Sequence, residues 1–139
     1  MQKRSSNSAG IRYFKMDYEK VMRKIREYAE RVFHEKQAKA VILIGSLARG
    51  DYTAFSDADV IIVSDDVPEN FMDRLKEFMD PTFPIDLDPR VYTSEEFLKM
   101  AKDGRKIIGE VIKYGKLLAG DEGIMKKVKE EYSRLLSSD

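Results

Sequence analysis

The feature that most constrains this chain is a five-residue run, Ala40-Val41-Ile42-Leu43-Ile44, wholly apolar and stopped by Gly45-Ser46. It is too short for a stable helix and rich in β-branched side chains, so it predicts a strand buried on both faces. Such a strand needs neighbours in a sheet and a layer of structure above and below it. Asp57 to Val63 supplies the first neighbour, alternating at first and then turning apolar. Side chains on a strand repeat every two residues, so Asp57 and Asp59 share a face.

Phe83 to Tyr92 reads as a third strand, interrupted by Pro89, which places its far half at a sheet edge. Lys116-Leu117-Leu118-Ala119-Gly120 is a small fourth candidate. Between these runs the apolar spacing is helical. Tyr18, Val21, Met22, Ile25, Ala29, Val32 and Phe33 form one stripe, with Asp17 as the expected N-cap. Phe71, Met72, Leu75, Phe78 and Met79 form a second, after Pro68, and are expected to face the core. Thr93 with Glu96 three residues on has the spacing of a capping box. Ile107, Ile108, Val111 and Ile112 give another stripe, and Asp121 caps a last helix through Ile124, Val128, Tyr132 and Leu135. Strands alternating with helices predict an α/β (α+β) class with one sheet of three to four strands faced by helices. Residues 1–12, polar and small, are expected to be a flexible tail, and 13–139 a single domain.

Composition narrows the chemistry. There is no cysteine, which excludes disulfide frameworks, thiolate zinc sites and thiol nucleophiles. The 25 Lys and Arg balance 25 Asp and Glu, arguing against a chain whose main task is gripping a nucleic-acid backbone. No apolar run reaches membrane-spanning length and the start lacks the apolar core of an export signal, so a cytoplasmic location is expected. The one histidine, His34, has no second histidine or triad partner beside it and reads as a helix-end residue. Lys102, Arg105, Lys106, Lys113, Lys116, Lys126, Lys127 and Lys129 read as solvated helix faces, the alternative being a docking face for an acidic partner.

Charge is then distributed unevenly. Gly50 to Asp73 holds seven acids and no Lys or Arg. Asp57 and Asp59 stand out, because acids on a strand that runs into the core are costly unless compensated. Two carboxylates about 4 Å apart repel by roughly 4 kcal/mol at an effective dielectric of about 20. A divalent cation removes that cost, and hard oxygen ligands suit magnesium. Gly45-Ser46 directly follows the first strand, where glycine lets a phosphate approach exposed N–H groups and Ser46 adds a hydroxyl. A phosphate cradle on one strand end beside a carboxylate pair on the next is the layout for a magnesium-bound triphosphate. A third acid is available in Pro84-Ile85-Asp86-Leu87-Asp88. Asp86 is the expected functional residue, since Asp88 precedes Pro89 and reads as the start of a turn. Arg49 is placed either to pair with phosphates or to form a structural ion pair.

Gly45-Ser46, ten residues, then Asp57-Ala58-Asp59 resembles the nucleotidyltransferase superfamily that includes DNA polymerase beta. The fuller strings Gly45-Ser46-Leu47-Ala48-Arg49-Gly50 and Ser56-Asp57-Ala58-Asp59-Val60 are similar to the minimal nucleotidyltransferases of archaea and bacteria, and Ile85-Asp86-Leu87 resembles their third-carboxylate strand. The resemblance spans roughly residues 17–120. It implies a nucleotidyltransferase fold, with a mixed central sheet packed by helices, and a magnesium-dependent enzyme with two metal ions. Such an enzyme transfers a nucleoside monophosphate, AMP from ATP, to a hydroxyl. Asp57, Asp59 and Asp86 would bind the metals, Asp86 also receiving the hydroxyl proton, and Gly45, Ser46 and Arg49 would hold the nucleotide. Some members are antitoxins that adenylylate, or simply mask, an all-helical HEPN-type toxin, which makes such a toxin the expected partner. The alternatives are a masking module with incidental catalysis and a transferase to a small molecule such as an aminoglycoside. The last usually carries a second helical domain, for which little chain remains after the core.

Overall fold

The apolar run Ala40–Ile44 forms β1, and every one of its residues is buried. It lies inside a four-stranded sheet with β2 (Ala58–Val63), β3 (Leu87–Tyr92) and β4 (Lys116–Gly120), in the order β3-β2-β1-β4. β1 runs antiparallel to both β2 and β4, while β2 and β3 are parallel, so the sheet is mixed. This computed structural model describes residues 2–137, with side chains from Tyr18 onward.

Strand alternation splits the core in two. Val41, Leu43, Val60, Ile62, Leu87 and Val91 face one side, under the long helix α1 (Gln2–Glu35) and beside α3 (Phe71–Phe78). Ala40, Ile42, Ile44, Ile61 and Val63 face the other side, under α4 (Ser94–Lys102), α5 (Lys106–Tyr114) and α6 (Glu122–Ser137). A five-residue helix, α2 (Gly45–Arg49), turns the chain at the end of β1. Complete burial of β1 follows from its central place between two helical layers.

Several local expectations hold. Thr93 and Glu96 form the capping box of α4 in both directions, and Asp121 accepts from the Gly123 N–H at the start of α6. Pro89 sits in β3, an edge strand. His34 is exposed in the last turn of α1 and pairs with Glu30 at 3.3 Å. The eight basic residues between 102 and 129 are all exposed.

Others are corrected. The backbone of α1 is helical back to Gln2, so Asp17 lies within the helix rather than at its cap. β3 begins at Leu87, not Phe83, because residues 81–85 are occupied by turns. α3 starts at Phe71, where the Asn70 side chain accepts from the N–H groups of Met72 and Asp73. Phe71, Met72 and Met79 are exposed, not core residues. Helix α3 flanks an edge strand and buries Phe78 and, unexpectedly, Arg74. Arg74 is 3% exposed and ties three elements together. It donates to the carbonyls of Pro68 and Val91 and makes a two-pronged contact with Glu96, at 2.7 and 3.2 Å. Among the described residues no helix is long and apolar enough to cross a membrane.

Candidate active site

The strand pairing of β1 with β2 sets Ile44 opposite Asp59, so the residue after Ile44 turns over the Asp59 side chain. That residue is Gly45, with φ +76°, in the left-handed region that glycine adopts without strain. A Cβ added there would lie 2.4 Å from Asp59 Oδ2. Glycine is therefore required twice, by backbone conformation and by the close approach of the carboxylate.

Asp59 points to the same face as Ile61 and Val63, at the open end of the α4–α5–α6 layer. The parallel register of β2 with β3 places Asp88 directly opposite it. The Asp59 carboxyl is pushed up to about 6. Burial is the main cause, followed by its hydrogen bond with Asp88 and the charges of Asp88 and Asp57, with Arg90 opposing. Asp57 stands just ahead of β2 and is exposed, close enough for its charge to act on Asp59.

Asp88, rather than Asp86, stands beside Asp59 in the sheet. Asp86 lies one residue ahead of β3 and is exposed, and its backbone carbonyl accepts from the Ala58 N–H at 2.8 Å. The reason is register. β2 and β3 pair Ala58 with Leu87 and Asp59 with Asp88, so Asp86 falls one residue before the ladder, level with Asp57 rather than Asp59. Pro89 does not end the strand, because an edge strand tolerates it.

Ser46 Oγ is hydrogen-bonded to Ser56 Oγ at 2.8 Å, and Ser56 Oγ also accepts from the Thr53 N–H. Ser46 thereby anchors the loop that leads into Asp57. Arg49 makes an ion pair in this structure, with Asp51 at 3.2 Å and Glu110 at 3.0 Å. Glu110, on α5, also accepts from the Gly45 N–H at 2.8 Å. Local sequence patterning does not place it here. The available signal was a lone acid inside the stripe Ile107, Ile108, Val111 and Ile112. The structure thus brings Gly45, Ser46, Arg49, Asp57, Asp59, Asp88 and Glu110 to one end of the sheet.

These acids fit a divalent cation by their chemistry. Asp59 and Asp88 are neighbouring hard-oxygen donors whose mutual repulsion a cation would relieve. Among the described residues no three His, Asp or Glu side chains form a ready cage.

Residues 22–122 match the family model of the nucleotidyltransferase domain. The chain belongs to this nucleotidyltransferase family. No match is found among curated proteins. Solved structures share the fold of this nucleotidyltransferase domain. One is a chain from the crystal structure of a toxin–antitoxin with AMP-PNP, 17% identical, with TM-score 0.57, covering 81% of this chain and 90% of that one. A second comes from a mutant of the toxin–antitoxin MntA-HpeT, 17% identical, with TM-score 0.56, covering 84% and 90%. A third comes from the tri-AMPylated Shewanella oneidensis HEPN toxin in complex with its MNT antitoxin, 15% identical, with TM-score 0.51, covering 87% and 91%.

Proposed function

We propose that this nucleotidyltransferase domain transfers AMP from ATP to a hydroxyl of a protein acceptor, an all-helical HEPN-type toxin, and acts as its antitoxin. The observation that carries the reading is the Asp59–Asp88 pair held against the Gly45 turn. The AMP-PNP and AMPylated-toxin contexts of the fold neighbours support the choice of nucleotide and acceptor.

In such a transfer the acceptor oxygen attacks the α-phosphorus in line, and the bond to the leaving pyrophosphate breaks. Gly45 and Ser46 would hold the β- and γ-phosphates through backbone and hydroxyl donors, with Arg49 supplying a guanidinium. Asp57, Asp59 and Asp88 would hold magnesium. When bound, the cation neutralises triphosphate charge and lowers the acceptor's pKa. Asp88 would accept the hydroxyl proton, the role expected from the sequence for Asp86. Arg90, two residues along β3, lowers the cost of ionising Asp59.

The test is direct. The protein is incubated with a HEPN-type partner, ATP and magnesium, and the partner is weighed by mass spectrometry. A gain of one or more AMP units, lost in Asp59→Asn, supports the reading. An unchanged mass, with the partner's activity blocked equally by wild type and Asp59→Asn, would replace it with masking.

A further inference from the structure

One oxygen in this site has an unusual pair of partners. Glu110 Oε2 accepts from the Gly45 N–H at 2.8 Å and from Arg49 Nη1 at 3.0 Å. A turn N–H beside a guanidinium is the donor set that holds a phosphate oxygen. The carboxylate reaches it from α5, across 65 residues of sequence. Arg49 has a second partner in Asp51, so it stays paired without Glu110. The Arg49 and Glu110 side chains are 32% and 33% exposed, so ligand can reach them and the Glu110 carboxylate can swing out to water.

We propose that Glu110 is an internal stand-in for a nucleotide phosphate, which must displace it from Gly45 and Arg49, so that Glu110 sets the affinity for nucleoside triphosphate. This rests on reading the Gly45-Ser46 turn as the phosphate cradle. Gly45 has a single N–H, already directed at Glu110. A phosphate oxygen and a carboxylate oxygen cannot both take it, and their like charges add to the exclusion. The same contact keeps an otherwise vacant cradle satisfied in the unliganded protein, since an unpaired buried N–H is costly.

Two variants separate displacement from simple charge repulsion. Glu110→Gln keeps the length and loses the charge. Glu110→Asp keeps the charge but withdraws the carboxylate by about 1.5 Å, one carbon–carbon bond, beyond hydrogen-bond reach of Gly45. Calorimetric titration of magnesium-ATP into wild type and each variant reads the outcome, with thermal unfolding confirming that each is folded. Displacement predicts that Glu110→Asp binds about tenfold tighter than wild type, about 1.4 kcal/mol, and that Glu110→Gln, whose amide oxygen can still accept from Gly45, tightens by less. Tightening in Glu110→Gln alone would mean general repulsion and overturn the proposal. Unchanged or weaker binding in both variants, with wild type still binding, would make Glu110 a support of the turn and overturn it while the phosphate reading stands. No binding of magnesium-ATP by any of the three would overturn the cradle reading itself, and this inference with it.

Discussion

Gly45 and Asp59 compete for the same space: a Cβ on the glycine would sit 2.4 Å from the aspartate's Oδ2. The turn after β1 and the acid on β2 are thus one unit, and a side chain at position 45 would push Asp59 aside. We expect Gly45→Ala to lose AMP transfer while still folding. The left-handed backbone alone costs an alanine about 1–2 kcal/mol, and the clash forces Asp59 aside. Thermal unfolding and a transfer assay check this, and full activity in the variant would refute the coupling.

Asp88 and Asp86 should differ sharply. Asp88→Asn removes a partner of Asp59 and should abolish transfer. Asp86→Asn changes an exposed residue ahead of the strand and should keep most of it. The reverse ranking in a mass-spectrometric transfer assay would show that the β2–β3 register does not place the third acid.

The raised Asp59 carboxyl makes stability of the metal-free protein depend on pH in a specific direction. Its folded value of about 6 lies above the ordinary 3.8, so the folded state binds the proton more tightly than the unfolded chain. The group's favourable contribution is present below about pH 4 and is lost as pH rises through about 6. In EDTA, Asp59→Asn should therefore gain stability over wild type progressively from pH 4 to about 7, then level off. Denaturant melts across that range measure the difference, and a gain that shrinks with rising pH would contradict it.

Magnesium and ATP together should reverse that trend in wild type. Ligands that bind only the folded state stabilise it by mass action, about 2.7 kcal/mol at a hundredfold excess over Kd. The melting temperature should rise with both present, and the rise should vanish in Asp59→Asn. A shift of equal size in the variant would place binding elsewhere.

Arg74 and Glu96 brace the edge strand that carries Asp88. Arg74 is buried, and its hydrogen bonds to Glu96 hold that carboxyl below its usual range. Glu96→Ala leaves a buried guanidinium with only carbonyl partners. We expect a loss of about 2 kcal/mol, less than for a fully buried pair because Glu96 is partly exposed. The lowered carboxyl means that the contribution is present above the ordinary value of 4.5 and is lost as pH falls below it. The stability gap between wild type and Glu96→Ala should accordingly narrow in acid, and chemical denaturation at neutral and acid pH checks this.

The amino-acid sequence alone determined the four strands, the Gly45 turn, the Asp57-Asp59 pair and the Thr93–Glu96 cap. Each is written in neighbouring residues, as an apolar run, an alternation or a fixed short spacing. The order of the strands and the setting of Asp88, rather than Asp86, beside Asp59 were decided only by the tertiary structure, because they depend on the register between β2 and β3. The same holds for Glu110 at the Gly45 N–H, which is 65 residues away in the chain. It holds too for Arg74, a cation in an amphipathic pattern whose burial is set by its partners on β3 and α4. Local pattern fixes what a residue can do in its own element. Which residue meets it from another element is settled by packing, and most of this site's electrostatics lie in those meetings.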